Sequence, residues 1–198
     1  MKGFTLIELL VSVAIFSIVM VMALGALLAL SIADRRAETL KSGIDNLTFA
    51  LDSMSRSIRT GQNYDCGTVG SVAPANCAGG GNYLAFLSSN GVETYYIFDA
   101  AQDGTSKCGQ TTLPYGCIER SLSYDGGATW STPIPITSPD IVVQNVGSLF
   151  HVTGALAGSS DTIQPKATIT VNATVQITAT QTTAVHMQTS ATQRIYDQ

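Results

Sequence analysis

From Leu9 to Ala33 the chain runs for 25 consecutive positions without a charged residue. Nothing else in its 198 residues limits the fold so strictly. Coiled as an α-helix, such a run spans about 37 Å, more than the roughly 30 Å of a bilayer's hydrocarbon core. A secretory signal has an apolar core of only about 7–15 residues, followed by a small-residue cleavage site. The length therefore fits a membrane span. Lys2 flanks the run on one side and Asp34-Arg35-Arg36 on the other. On charge alone the orientation is ambiguous, and the basic C-terminal flank argues against an outward C-terminus. Glu8 stands just inside the edge of the span. A carboxylate there either reaches the headgroups and water or needs a cation from another chain, because an unpaired charge in hydrocarbon is costly.

Charged residues make up 12% of the sequence, about half the usual share of roughly 25%. The apolar residues crowd the first 33 positions, while the later half is rich in Thr, Ser, Gln and Asn. Ten Lys and Arg stand against 14 Asp and Glu, for a formal charge of −4. No more than two basic residues adjoin, so the clustered cations that non-specific nucleic-acid binding requires are missing. The length allows one modest globular domain with an appendage.

Helical periodicity continues past Ala33. Leu40, Ile44, Leu47, Leu51, Met54 and Ile58 recur at alternating steps of four and three, an apolar stripe on one helical face. Lys41, Asp45, Asp52, Arg56 and Arg59 fall between them, as on a solvated opposite face. One helix is predicted from Thr5 to about Thr60, its second half amphipathic, with Gly61 at the C-cap position. Gly25 and Gly43 are its weak points, each costing about 1 kcal/mol relative to Ala. A kink or local melt is expected at Gly25 if anywhere.

After Gly61 the pattern turns to strands. Asn82–Ser88 and Val92–Asp99 flank a Ser89-Asn90-Gly91 turn, and Cys117–Tyr124 and Thr129–Ile136 flank another. Asp140–Val146 and Leu149–Thr153 are separated by a break near Gly147. From Ala167 to Ala179, apolar residues alternate with Thr, Asn and Gln, the pattern of a half-buried strand. His186–Ile195 is placed to pair with it through a turn at Gln181-Thr182-Thr183. Four cysteines, Cys66, Cys77, Cys108 and Cys117, allow three connectivities. Their spacing is not zinc-like, and proximity favours Cys66–Cys77 and Cys108–Cys117. Ser123-Tyr124-Asp125-Gly126-Gly127-Ala128-Thr129-Trp130 resembles an Asp-box, a hairpin of sialidase-type propellers that lies away from their catalytic centres. Here Ser123, Asp125, Gly127, Thr129 and Trp130 read as a turn in which Asp125 binds backbone N–H groups above a packed Trp130; the rival reading is carbohydrate contact through Trp130.

Enzyme chemistry finds little footing. His151 and His186 lie in separate expected strands, with no HExxH spacing around either. There is no G-x-S-x-G elbow and no Walker loop. Gly79-Gly80-Gly81 follows no strand and opens no helix, and the carboxylates from Asp99 to Gly104 are too sparse for an EF-hand. No catalytic residue, metal site or cofactor is expected.

Gly3-Phe4-Thr5-Leu6-Ile7-Glu8-Leu9-Leu10-Val11 resembles the type IV prepilin signature. The resemblance implies that residues 1–3 are a leader, cut between Gly3 and Phe4 by a prepilin peptidase that also N-methylates Phe4. It implies that Glu8 pairs with the new amine of a neighbouring subunit rather than within its own helix. The leader then lies in the cytoplasm and the C-terminus outside, where disulfides persist. The expected fold is α+β and pilin-like: a transmembrane half-helix (4–33), an amphipathic half (34–60) and an antiparallel β-rich, disulfide-containing head (61–198). The family implies a structural subunit, resembling a minor pilin or J-type pseudopilin, that primes or caps a type IV pilus, type II secretion or DNA-uptake filament. Its partners would be other pilin subunits, the peptidase and an inner-membrane assembly platform, with no nucleic acid. A tip adhesin binding an unidentified extracellular ligand is the alternative.

Overall fold

A computed structural model describes residues 5–66, 73–88, 95–101 (backbone only), 116–144, 149–156, 163–178 and 181–194. The chain forms two compact units, residues 1–41 and 42–198. A single helix, α1 (Leu6–Thr60), belongs to both.

In the first unit α1 is apolar and none of its side chains is buried. It is long and apolar enough to cross a membrane. Ser12, Ser17 and Ser31 interrupt the apolar run, and the first two turn their hydroxyls back onto the helix. Ser12 donates to the Leu9 carbonyl at 2.9 Å and Ser17 to the Val13 carbonyl at 2.8 Å. Their polarity is thus met within the helix, as hydrocarbon surroundings demand. The helix passes through Gly25 without a break.

The second unit packs the rest of α1 against two antiparallel sheets. The first sheet has the order β1 (Gln62–Asp65), β2 (Tyr83–Leu87), β3 (Tyr95–Ala101), β4 (Cys117–Ser123), β5 (Ile134–Pro135). In the second, the 13-residue β8 (Lys166–Thr178) is central. β9 (Gln181–Thr192) lies along one edge of it. β6 (Ile141–Val143) and β7 (Phe150–Thr153) lie end to end along the other. Reciprocal backbone hydrogen bonds between Gly81 and Phe150, and between Gly116 and Val143, tie the two sheets together.

The core follows from the two periodicities. Ala167, Ile169, Val171, Ala173 and Val175 of β8 are buried, while the Thr, Asn and Gln between them are half-exposed. Leu47, Leu51, Met54 and Ile58 of α1 join Ala167, Ile169, Val171 and Ala173 in one cluster with Leu84, Phe86, Ile118 and Phe150. Burying such side chains contributes about 1.5–3 kcal/mol each. Two small residues, Gly43 and Ala50, share the buried face of the helix, and Ile44 is only half-buried. A Cβ on Gly43 would lie 2.5 Å from Val175 Cγ1. The glycine is what lets helix and β8 approach so closely.

Several expected boundaries move. Gly61 does not take a left-handed cap conformation. Its N–H bonds the Ile58 carbonyl at 2.9 Å, and its lack of a side chain makes room for the Phe86 ring. Asn63 has the positive φ instead, at 57°. The strand expected at Thr129–Ile136 shrinks to Ile134–Pro135, because Ser123 to Trp130 is absorbed in a hydrogen-bonded turn. Gln181, Thr182 and Thr183 are the first residues of β9, so they are not the turn. β1 is an addition: its polar sequence carries no alternation, yet Tyr64 and Asp65 are buried. The turn at Ser89-Asn90-Gly91 and the break at Gly147 lie outside the described residues.

Candidate functional site

The N-terminus of α1 is built from Thr5 outward. The Thr5 carbonyl accepts the N–H groups of Glu8 (3.1 Å) and Leu9 (3.3 Å), which makes Thr5 the cap and places Glu8 in the first turn. A carboxylate there is favoured by the helix dipole. Glu8 is exposed, and its recorded partner is the Thr5 hydroxyl at 3.5 Å, longer than an ordinary O–H···O bond. Among the described residues no cation pairs with Glu8. Gly3 and Phe4, the expected cleavage and methylation positions, lie outside the described residues. Around Glu8 the neighbouring side chains Leu6, Ile7, Leu9 and Leu10 are all exposed and apolar. The arrangement offers an exposed carboxylate at the head of an exposed apolar helix.

In the head, Cys66 and Cys77 form a disulfide, with Cα atoms 5.5 Å apart. Backbone bonds on both sides anchor it: Cys66 N–H to the Ala75 carbonyl (3.2 Å), Ala75 N–H to the Tyr64 carbonyl (3.0 Å) and Cys77 N–H to the Val152 carbonyl (3.0 Å). The staple therefore holds the segment after β1 against β7. Cys117 is disulfide-bonded as well, and the other half of the expected pair, Cys108, lies outside the described residues.

The Asp-box-like turn closes on itself. Asp125 accepts from the Ser123 hydroxyl (2.6 Å), from the Thr129 N–H (2.9 Å) and, through its second oxygen, from the Thr129 hydroxyl. Ser123 Oγ in turn accepts the Gly127 N–H at 2.9 Å. Gly126 and Gly127 take φ of 72° and 91°, which side chains with a Cβ resist. The Ser123 bond first, and the Thr129 bonds after it, lower the Asp125 pKa to about 2. Trp130 packs on Tyr83 and Ala85 rather than standing free. The turn's polar groups are thus engaged with one another.

The structure leaves the two histidines apart. His151 Nδ1 faces the Ala78 carbonyl at 3.3 Å from β7, and His186 Nδ1 faces its cross-strand neighbour Asn172 at 2.8 Å from β9. Among the described residues no three His, Cys, Asp or Glu side chains gather as metal ligands would. Sequence reasoning placed Arg56 and Arg59 on a solvated helix face. The structure sets them beside Arg194 in a groove, and no local pattern joins positions so far apart in the chain.

No curated protein and no solved structure matches the chain. Residues 1–24 match the family model of the prokaryotic N-terminal methylation motif. With that motif at the head of a long exposed apolar helix and an antiparallel β-rich region behind it, the chain carries the signature of the type IV prepilins and pseudopilins.

Proposed function

We propose that this pilin-like protein is a minor pilin or pseudopilin, a structural subunit that primes or caps a filament of the type IV pilus, type II secretion or DNA-uptake kind. The observation that carries the reading is the coincidence of the methylation motif with a helix whose apolar half has no buried side chain. Such a surface needs first a bilayer and then a bundle of like helices to cover it. In this reading the chain is held in the inner membrane by residues 4–33 with its head outside. A prepilin peptidase removes residues 1–3 between Gly3 and Phe4 and methylates Phe4, and an assembly platform extracts the subunit. Cleavage makes an ammonium at Phe4. Inside a helical bundle an unpaired ammonium and an unpaired Glu8 are each expensive, and pairing them between neighbours removes both costs.

One experiment tests this: mass spectrometry of filaments sheared from native cells, for the wild-type chain and for Glu8→Ala. The wild-type chain should begin at N-methylated Phe4. Glu8→Ala should be inserted and cut normally but be scarce in filaments, because losing one member of a buried ion pair costs about 3–5 kcal/mol. Assembled material beginning at Met1 would refute the reading, and wild-type incorporation of Glu8→Ala would refute the pairing of Glu8 with a neighbour's amine.

A further inference from the structure

The direction of each backbone group on β9 follows from its neighbour β8. On β8 the even-numbered residues face β6 and β7. The Thr170 N–H bonds the Leu149 carbonyl at 2.9 Å, the Asn172 carbonyl accepts from the Gln144 N–H at 2.7 Å, and the Gln176 N–H bonds the Asp140 carbonyl at 2.9 Å. Backbone groups alternate sides along a strand, so the odd-numbered residues of β8 bond β9. Their partners are odd-numbered too: Ile169 opposite Thr189, Val171 opposite Met187, Ala173 opposite Val185. The N–H and C=O groups of Thr182, Ala184, His186, Gln188 and Ser190 therefore point away from the sheet. All five residues are exposed, and among the described residues no hydrogen bond reaches these main-chain groups. The open stretch ends at Arg194, whose outward N–H is taken by the Arg59 carbonyl at 3.0 Å.

The other edges are closed or short. β5 has two residues, ends in Pro135 and follows Pro133. β1 has four and is bridged to Ala75. β6 and β7 are tied across to the first sheet through Gly116 and Gly81. Proteins blunt their edges in such ways, or with charges and bulges, because open backbone groups recruit another strand. Between Thr182 and Ser190, β9 uses none of these devices. The stretch has no charged residue, no Pro and no Gly, and its register on β8 is regular. At about 3.3 Å per residue it runs about 30 Å, longer than an ordinary strand of about 17–20 Å.

The side chains say what kind of strand fits. Val185 and Met187 are half-buried and pack against the core cluster, so apolar residues of an added strand would cover their outer flanks. On the opposite face Ala184, His186, Gln188 and Ser190 are small or polar, and a charge placed beside them would meet no carboxylate, Lys or Arg on this stretch. We propose that β9 is a docking edge for an extended, uncharged segment of another polypeptide, apolar at alternate positions. The segment joins the four-stranded sheet as a further strand beside β9. Main-chain hydrogen bonds supply its affinity, and the alternation of its side chains fixes which face it turns to the core. The edge belongs to the head, and the proposal does not rest on assembly into a filament.

β8 supplies the probe, because Lys166–Thr178 has this alternation, carries its one charge at the end and already pairs with β9. A fluorescently labelled peptide of that sequence is titrated with the full-length chain in non-ionic detergent and followed by anisotropy. The wild type should bind it, and should bind a scrambled peptide without the alternation more weakly. Pro is tolerated on an edge strand where the N–H faces outward. Gln188→Pro thus removes one outward donor, leaves the bonds to β8 in place and should weaken the peptide about tenfold. Gln188→Lys, which keeps every backbone group and adds a charge at the edge, should weaken it as well. No binding by the wild type would overturn the proposal. So would unchanged binding in both Gln188 variants with their circular dichroism intact. If the chain alone sediments as a dimer that Gln188→Pro dissociates, the occupant is a second copy and the proposal fails.

Discussion

Asp125 shows how one carboxylate organises a turn. Its three partners, two hydroxyls and one N–H, all favour the ionised form, and its pKa falls from 3.8 to about 2. A group whose folded pKa is depressed lends stability that is fully present above the unfolded value and is lost as pH falls through the folded one. The turn's contribution should therefore hold above about pH 4 and drain away between pH 4 and 2. Because Asp125 is solvent-exposed, the effect is modest and weaker at high salt. Thermal melts of the wild type and Asp125→Asn across this range check it. The wild type should lose its advantage on acidification, while parallel pH profiles would contradict the assignment. The sequence disclosed this turn because Ser, Asp, Gly, Thr and Trp follow one another locally. It did not disclose the arginine groove, because Arg194 meets Arg56 and Arg59 only through the pairing of β9 with β8.

Among the elements, α1 and β8 were legible because each keeps its period: three to four residues along the buried half of the helix, two along the strand. What escaped was small or short. Gly43 and Ala50 add nothing to an apolar stripe, yet both are buried, and Gly43 lets the helix lie close to β8. β1, of four residues, is too brief for any pattern to show, and β5 was expected at over three times its two-residue length. The two helix glycines accordingly predict opposite outcomes. A Cβ on Gly25 would meet nothing within 4 Å, so Gly25→Ala should favour the helix by about the usual 1 kcal/mol. A Cβ on Gly43 would strike the buried, β-branched Val175, whose stiff side chain yields poorly. Gly43→Ala should lower stability by about 1–3 kcal/mol. Val175→Ala in the same chain should recover part of that loss, a coupling read from a double-mutant cycle in urea. Additive effects of the two substitutions would show that the contact carries no energy.

For the whole molecule, the division of labour follows from where burial begins. Every buried side chain among the described residues stands at Gly43 or later, and residues 42–198 form a compact unit by themselves. The remaining stretch of α1, Ser42–Thr60, would be a marginal helix alone in water, since isolated helices shorter than about 12–15 residues rarely hold and longer ones gain most of their stability from packing. Here its buried face has a core to pack on, with Leu47, Leu51, Met54 and Ile58 in the same cluster as both sheets. A cut at Ser42 also leaves a workable start. Ser42 can serve as the N-cap, and Asp45 then sits in the first turn, where the helix dipole favours an acid. The Cys66–Cys77 staple lies wholly within the fragment. Ser42–Gln198 should therefore express as a soluble protein and unfold in one cooperative transition. Reducing the disulfides should lower its stability by about 2–5 kcal/mol. Circular dichroism melts with and without reductant measure both effects. A fragment that aggregates, or melts without cooperativity, would mean that the apolar half of α1 is needed to fold the head. Assembly defects of Glu8 variants could then no longer be separated from folding defects.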